Sequence, residues 1–357
     1  MLPSVRIATY NILSPALVAS HAPHTPDAFL ASSHRLPLLL RALQPEVDAR
    51  AVICLQEVAI AWVGPLHTFF CAAGYQLVTA CYGTRKNGFM GVALAFPTRH
   101  FELLAAEVTC VSDTKCPPPP PPPLQPVLPA PAAPLAPAPG LGSSAAPSSA
   151  SSSTWEAVRG RVNQLISVRL RARAGAGDDG AAAFCVSTYH MPCLFMDRPV
   201  MTVHCALAAQ AAHAFADGAR YILAGDFNIK PGDAQYELFT RGASEREAPP
   251  PEFEGDAWRP TLAAPLASAY AQAAGGREPP FTNYAQHTEE AEPFIDTCVA
   301  HFVPARPALL PLTLPFPPRI FHPYASQPGL HFPLARVAGG GGQAPALCRR
   351  DCLPHAH

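Results

Sequence analysis

Short apolar runs alternate with amphipathic segments along most of this chain, a pattern typical of strands and helices stacked in layers. Apolar runs of strand length occupy residues 5–11, 51–55, 75–81, 91–96 and 101–110. Leucines recur at helical spacing within residues 27–49, and a second apolar helical pattern covers residues 61–73. The first third of the chain therefore predicts a sheet with helices packed against it.

The pattern continues in the second half. Predicted strands cover residues 161–171, 182–189, 220–224, 294–303 and 331–337, and predicted helices cover 197–217, 231–240 and 263–274. Strands outnumber helices, and the helices fall between pairs of strands. We therefore predict an α/β fold, a four-layer sandwich of two mixed β-sheets flanked by helices.

Residues 116–153 interrupt this pattern with seven consecutive prolines at 117–123, followed by Pro/Ala-rich and then Ser-rich sequence. Such a segment cannot bury enough apolar surface to offset its ordering entropy, so we predict a disordered insertion. A ligand for a proline-recognising domain, at 117–138, remains an alternative. Because strands resume beyond it, we expect one domain over residues 1–338 and a disordered tail over 339–357.

Composition and charge constrain the class of protein. The net charge is −1, with 49% hydrophobic and 14% charged residues, so no global attraction to nucleic acid is visible, although a local basic patch would suffice. The eleven cysteines are scattered, which indicates reduced thiols rather than a disulfide framework or a zinc cluster. With a strand starting near residue 5 and no transmembrane-length run, we expect a soluble intracellular protein, cytoplasmic rather than nuclear.

Four polar clusters follow predicted strands, where α/β folds place ligands. They are Tyr-Asn at 10–11, Gln-Glu at 56–57, Tyr-His at 189–190 and Gly-Asp-Phe-Asn at 225–228. Taken singly, the Gln-Glu pair is typical of a solvated helix start, the Asp-x-Asn pattern of a turn or helix cap, and His190 of a hydrogen-bonded structural residue. Together they form an oxygen-rich set suited to a hard divalent cation, and its one Glu and one Asp fit Mg²⁺, with Mn²⁺ as a substitute.

In order along the chain, these clusters resemble the motifs of a known family. The matching segments are Ala-Thr-Tyr-Asn-Ile-Leu at 8–13, Ile-Cys-Leu-Gln-Glu-Val at 53–58, Ser-Thr-Tyr-His at 187–190, Leu-Ala-Gly-Asp-Phe-Asn at 223–228 and Phe-Thr-Asn-Tyr at 281–284. They are similar to the endonuclease/exonuclease/phosphatase superfamily, nearest the branch of carbon-catabolite-repressor-type deadenylases, nocturnin and the Angel proteins. The resemblance implies a DNase I-like fold and metal-dependent cleavage of phosphoesters.

The resemblance also implies roles for five residues. Asn11 and Glu57 would sit at the metal, with Glu57 as the principal protein ligand. Asp226 would orient or deprotonate the attacking water, and Asn228 would hold the scissile phosphate. His190 matches the histidine that approaches the phosphate from the neighbouring strand.

Further expected site residues are less firmly anchored in motifs. Arg85 and Asn87 lie in a loop where related enzymes touch substrate, although an exposed turn explains them equally well. Asn283 belongs to the Phe-Thr-Asn-Tyr motif and is expected to bind substrate, and His331 aligns with the family's catalytic histidine.

The last two family motifs are incomplete. Val299 stands where an aspartate is expected, and Gly329 and Leu330 replace the Ser-Asp that precedes the histidine. A histidine without its carboxylate loses orientation and basicity. Either the chain is a divergent or non-catalytic homologue, or its C-terminal sequence is wrongly assigned.

The expected function is Mg²⁺-dependent hydrolysis of phosphodiester bonds, as a 3′–5′ RNA exonuclease of deadenylase type. RNA or another phosphodiester is then the partner. A phosphatase or phosphodiesterase acting on a small molecule, and an impaired family member serving as a binding module, remain the alternatives.

Overall fold

The computed structural model describes residues 5–22, 25–114, 154–173, 182–246, 258–279, 282–285, 294–296 and 301–304. Of residues 283–285, 294–296 and 301–304 the structure describes the backbone. The predicted insertion at 116–153, the predicted strand at 331–337 and the tail at 339–357 lie outside the described residues.

The strands follow one another in the order that the apolar runs predict. They are β1 (Ile7–Asn11), β2 (Val52–Val58), β3 (Tyr75–Cys81), β4 (Gly91–Pro97), β5 (Phe101–Cys110), β6 (Gln164–Ala172), β7 (Phe184–His190), β8 (Arg220–Asp226), β9 (Leu266–Ser268), β10 (Asn283–Ala285), β11 (Phe294–Asp296) and β12 (His301–Pro304). The α-helices are α1 (Val18–His21), α2 (Asp27–Leu30), α3 (Ser32–Asp48), α4 (Ile60–Ala72), α5 (Thr154–Arg159), α6 (Arg198–Ala216), α7 (Ala234–Arg241) and α8 (Ala269–Ala273). Short 3-10 turns occupy Arg85–Asn87 and Val111–Thr114.

The strands form two mixed sheets. One has the order β1-β2-β4-β3, with β1 and β2 parallel and the other neighbours antiparallel. The other has the order β5-β6-β7-β8-β12-β9, and among these only β7 and β8 run parallel. Strands β10 and β11 pair with each other separately.

Alternation within the strands explains why the two sheets pack face to face. In β2, Val52 and Cys54 contribute to the core between the sheets, while Ile53 and Leu55 face α3 and α4. Strand β8 behaves in the same way, with alternate residues in the inter-sheet core and in the core beneath α6. Strands buried on both faces are expected to be continuously apolar. The predicted four-layer α/β sandwich is confirmed.

Gly225 lies where the backbone of β7 leaves no room for a side chain on β8. A Cβ atom on Gly225 would stand 1.9 Å from the carbonyl oxygen of Tyr189, its partner in the parallel ladder. The φ angle of Gly225 is 153°, which a side chain would also oppose. This close approach fixes the relative position of the next residue on each strand, His190 and Asp226.

Three predicted elements differ from those observed. The helix expected over 27–49 is divided at Ala31, whose extended backbone separates α2 from α3. The segment 263–274 contains β9 before the short helix α8. The run 294–303, expected to be one strand, supplies β11 and β12, which belong to different sheets, because an apolar pattern alone cannot show where the chain leaves one sheet for another.

No helix within the described residues is long and apolar enough to cross a membrane.

Candidate active site

The site lies where the carboxyl ends of two parallel strand pairs meet. Asn11 ends β1 and Glu57 lies next to the end of β2, in one sheet. His190 ends β7 and Asp226 ends β8, in the other sheet. Side chains from both sheets therefore converge on one edge of the sandwich, as the four polar clusters predicted.

The amide of Asn11 joins the two carboxylates of the site. Its Nδ2 donates to Oε1 of Glu57 at 2.8 Å and to Oδ2 of Asp226 at 2.9 Å. Its Oδ1 accepts from the backbone N–H of Leu13 at 3.0 Å, which orients the amide. Asn11 thus presents its nitrogen, a donor, to the carboxylates, while its oxygen is used within the loop.

Glu57 has an unusual backbone. Its φ angle is 59°, and the pairing of β2 with β4 shifts between Gln56 and Val58, so Glu57 is the extra residue of a β-bulge. Bulges re-aim side chains and are common beside active sites, where backbone strain of about 1–3 kcal/mol is tolerated. The bulge turns the carboxylate to the site, where Oε2 accepts from the backbone N–H of Ser14 at 3.0 Å.

Asp226 is held on both of its oxygens. While Oδ2 accepts from Asn11, Oδ1 accepts from the backbone N–H of Asn228 at 3.1 Å. Asn228 has a φ angle of 51°, and its Nδ2 donates to the carbonyl of Met191 at 3.0 Å, which ties the loop after β8 to the loop after β7.

His190 lies beside Asp226, with its Nε2 at 4.0 Å from Oδ2. Its backbone carbonyl accepts from Nδ2 of Asn163 at 2.8 Å. Its Nδ1 is buried and has no hydrogen-bond partner among the described residues. A buried ring nitrogen without a partner is uncommon in folded proteins and marks His190 as a residue that calls for a functional explanation.

A layer of buried polar groups supports the site from below. Gln56 donates from Nε2 to Oγ1 of Thr9 at 3.0 Å and to Oγ1 of Thr188 at 3.1 Å, so it connects β1, β2 and β7. Gln56 is 1% exposed and Thr188 is fully buried. This network holds the two sheets in a fixed relation directly under Asn11 and Glu57.

Two buried groups near the site stay neutral, the hydroxyl of Tyr82 and the imidazole of His204. Burial, followed by the charge of Glu57, raises the pKa of Tyr82 well above its usual value, so its hydroxyl remains protonated. Tyr189 Oη lies 2.9 Å from Nδ1 of His204, and Nε2 of that ring lies 3.3 Å from the carbonyl of Val158. Burial lowers the pKa of His204 to about 4. A neutral ring that donates to Val158 and accepts from Tyr189 satisfies both contacts.

The donor set suits a hard divalent cation. Glu57 and Asp226 share the Asn11 amide, so two like charges converge, and within the described ranges no lysine or arginine pairs with either. Such a pair is stabilised by a cation. Across the same ranges no cluster of three or more His, Cys, Asp or Glu side chains could enclose a metal. Mg²⁺ takes one or two carboxylates and retains waters, so these residues fit it.

The other predicted site residues differ in how they are connected to this centre. Asn87 is connected to it, because its backbone carbonyl accepts from Oγ of Ser14 at 2.9 Å, while its Oδ1 caps the turn by accepting from Thr84 N–H at 2.8 Å. Arg85 is exposed on the same turn. The backbone of Asn283 pairs in β10 opposite Asp296, and its side chain is not described. His331 lies outside the described residues, as does Val299.

Sequence reasoning missed Ser14 and Arg35. Ser14 is fully buried and bonds to Glu57 and to Asn87, and nothing in a lone serine after a strand indicates this. Arg35 did carry a signal, because it is spaced with Leu39 and Leu43 on the buried face of α3. A cation in an apolar helical stripe indicates a buried partner.

A cavity of about 460 Å³ lies elsewhere, lined by Trp258 and by side chains of β5 and α6, and none of the site residues lines it. Convergent polar chemistry, rather than this cavity, therefore defines the candidate site.

Comparison with known proteins gives the family. A sequence model of the Endonuclease/Exonuclease/phosphatase family matches residues 8–291, and the chain belongs to this family. Its enzymes are phosphoric ester hydrolases that generally use divalent metal ions. The membership predicted from the strand-end motifs is thereby confirmed. A search of curated protein sequences found no match.

Two solved structures share the fold at low sequence identity. One is "ANGEL2, a 2′,3′-cyclic phosphatase, in complex with adenosine-2′,3′-vanadate", with a TM-score of 0.57 and 18% identity, covering 85% of this chain and 84% of that one. The other is the human Nocturnin catalytic domain with bound sulfate, with a TM-score of 0.53 and 16% identity, covering 85% and 84%. Both belong to the branch that the motifs resemble.

Proposed function

We propose that this protein is a Mg²⁺-dependent phosphoesterase that hydrolyses phosphodiester bonds, with RNA cut from its 3′ end as the expected substrate. One observation carries the proposal: the Asn11 amide bridges the carboxylates of Glu57 and Asp226 across the two sheets, with His190 at 4.0 Å from Asp226. Carboxylates that converge beside a histidine and an asparagine form a site for metal and phosphate.

Each residue has a defined task in this proposal. Glu57 holds the metal, and Asn11 keeps Glu57 and Asp226 in register. A bound divalent cation would supply Lewis-acid stabilisation of the charge that develops on the phosphate. Asp226 orients the attacking water and accepts its proton.

His190 and Asn228 complete the proposed site as hydrogen-bond donors to the phosphate. Both adjoin Asp226, through the 4.0 Å contact to the His190 ring and the bond from the Asn228 backbone. Fixed donors of this kind favour the transition state, because they need no reorganisation as charge develops.

The rim of the site favours a substrate with a large organic part. Large apolar side chains are exposed next to the strand ends at this edge, namely Ile60 at the start of α4 and, in loops, Phe89, Val162, Phe195 and Met196. Phe89 follows the turn that carries the exposed cations Arg85 and Lys86. Exposed rings beside cations are what bind single-stranded nucleic acid, through base stacking and phosphate attraction. This supports RNA over a small polar phosphate ester.

A panel assay tests the proposal. The protein is incubated with Mg²⁺ or Mn²⁺ and a fluorescent oligoadenylate, mixed RNA, single-stranded DNA, RNA ending in a 2′,3′-cyclic phosphate, dinucleotide cofactors or inositol phosphates. Metal-dependent shortening of oligoadenylate from its 3′ end supports the expected substrate. Turnover of the small molecules alone would instead support the alternative function, a phosphatase or phosphodiesterase that acts on a small molecule.

Opening of the cyclic phosphate is a second candidate activity, because the similar ANGEL2 is described as a 2′,3′-cyclic phosphatase. It uses the same donors on a phosphodiester that closes within one ribose. The absence of turnover throughout the panel, with metal still bound, would instead favour the binding module expected if the C-terminal motif containing His331 is impaired.

A further inference from the structure

Arg35 is a buried cation that grips the loop leaving β1. It is 7% exposed, near the start of α3. Its Nη2 donates to the carbonyl of Ile12 at 2.9 Å and to the carbonyl of Leu13 at 2.7 Å. These two carbonyls directly follow Asn11 in the chain, so the cation acts on the loop that carries the bridging amide of the site.

The guanidinium is itself held in place. Its central carbon lies 5.2 Å from the ring centroid of Trp62, in α4. Trp62 is 1% exposed and donates from Nε1 to Oγ of Ser32 at 2.5 Å. Residues at the starts of α3 and α4 therefore hold the guanidinium in place next to the loop. Stacking on an aromatic face also orients its planar set of N–H donors.

Hydrogen bonds made by successive residues of this loop connect Arg35 with the carboxylate of Glu57. Leu13, gripped at its carbonyl, has a φ angle of 51°, a conformation that is unfavourable for a leucine. In that conformation its N–H meets Oδ1 of Asn11, and the N–H of the next residue, Ser14, meets Oε2 of Glu57. The contacts to Asn11 and to Glu57 therefore both depend on the loop that Arg35 holds.

We infer that Arg35 is a positioning residue for the phosphoesterase site, acting on Asn11 and Glu57 through the carbonyls of Ile12 and Leu13. The inference rests on the proposed function. Bonds from a charged donor to the buried carbonyl of Ile12 and the part-buried carbonyl of Leu13 compensate for the strained loop, and removing the donor takes this partner from both carbonyls. Relaxation of Leu13 would then release the Asn11 amide and the Ser14 N–H from their acceptors.

The test compares Arg35→Met with Arg35→Lys, and with Arg41→Met as a control on an exposed position of the same helix. Mn²⁺ affinity is measured by titration without substrate, and kcat and KM are measured on the oligoadenylate well below each variant's Tm. We expect Arg35→Met to weaken Mn²⁺ binding and lower kcat by about 10- to 100-fold, as for residues behind a metal ligand, with KM nearly unchanged. Arg35→Lys should recover part of both losses, and Arg41→Met should match the wild type.

The outcomes separate this inference from the proposed function. A wild type that neither binds Mn²⁺ nor cleaves any phosphoester overturns the proposed function, and the inference with it. If the wild type does both, and Arg35→Met lowers Tm while leaving Mn²⁺ affinity and kcat unchanged, Arg35 is only structural and the inference alone is wrong. If Arg35→Met fails to fold by circular dichroism, Arg35→Lys decides: reduced kcat in the folded protein supports positioning, and wild-type kcat overturns it.

Discussion

Asn11 donates to Asp226 across 215 residues of sequence, at 2.9 Å, and in doing so joins the ends of two different sheets. The same amide nitrogen reaches Glu57. The site is therefore assembled only when the two sheets pack in one relation to each other. The geometry of the site depends on the side chains that fix how the two sheets pack, and these side chains can be changed by mutation.

The first prediction concerns the polar bridge under the site. Thr188→Val removes the acceptor of the Gln56 Nε2 bond between the sheets and should lower the free energy of unfolding by about 1–3 kcal/mol, because a buried donor loses a partner. It should also lower kcat by roughly tenfold, since Gln56 adjoins Glu57. Urea unfolding and steady-state kinetics measure the two effects.

Ser187→Ala provides the matched control for Thr188→Val. Ser187 is fully buried and its Oγ lies 2.7 Å from that of Ser167, on the neighbouring strand of the same sheet. Its loss should cost similar stability and leave kcat unchanged. Equal kcat losses in the two variants would show that the inter-sheet bridge has no special role.

The second prediction concerns the contact between β7 and β8. Gly225→Ala places a Cβ against the Tyr189 carbonyl and should destabilise the fold by at least about 2 kcal/mol, from overpacking and backbone strain. Gly64→Ala in α4, where a Cβ meets nothing within 4 Å, should instead stabilise the fold by about 0.5–1 kcal/mol. Thermal unfolding of both variants checks this, and a Gly225→Ala Tm equal to the wild type would contradict the close approach.

The third prediction concerns pH. Burial lowers the pKa of His204 from 6.5 to about 4, so between these values the unfolded chain binds a proton that the folded protein does not. The free energy of unfolding should therefore fall as the pH decreases from about 6.5 to about 4, by about 3 kcal/mol at 1.36 kcal/mol per pH unit, and this contribution should be constant below pH 4.

Chemical denaturation at a series of pH values, in the wild type and in His204→Gln, isolates this contribution. Glutamine can still accept from Tyr189 and donate to Val158 but does not titrate, so its stability should depend less on pH. His67→Gln, at an exposed position of α4, serves as the control and should keep the wild-type slope. A slope for His204→Gln that equals the wild type would refute the assignment.

The fourth prediction concerns the two exposed aromatic rings at the rim of the site, Phe89 and Phe195. Phe89→Ala and Phe195→Ala should each weaken binding of an RNA oligonucleotide by on the order of 5- to 150-fold, the range for loss of one stacked base. Hydrolysis of a small phosphodiester such as bis(p-nitrophenyl) phosphate should be unaffected. Leu104→Ala, an exposed apolar residue within β5, is the control. Equal losses on RNA and on the small ester would exclude base stacking as the role of these rings.

The sequence predicted the fold well where burial is decided by local pattern. Strands β3 and β5 have the predicted bounds, because apolar runs between turn signals mark them clearly. The convergence of Asn11, Glu57, His190 and Asp226 was also predictable, since polar residues at the ends of parallel strands share an edge.

Other features depend on tertiary pairing and could not be read from the pattern. The bulge at Glu57 exists only through the register of β2 against β4. The division of 294–303 between two sheets depends on β12 pairing with β8 and β9. The orientation of the Asn11 amide follows from the loop that Arg35 holds, and a propensity argument contains no information about it.

The central claim is that Glu57 and Asp226 form the metal-dependent centre of a phosphoesterase. The most direct measurement is the initial rate of phosphodiester hydrolysis with Mg²⁺, for the wild type, Glu57→Gln and Asp226→Asn side by side. Glu102→Gln, which alters an exposed carboxylate paired with Arg171 on β6, is the control. We predict a Mg²⁺-dependent rate that falls by about 10²–10³-fold or more in the two site variants, while their Tm is retained and the control is unaffected. A rate unchanged by Glu57→Gln, or one that persists in excess EDTA, would contradict the account.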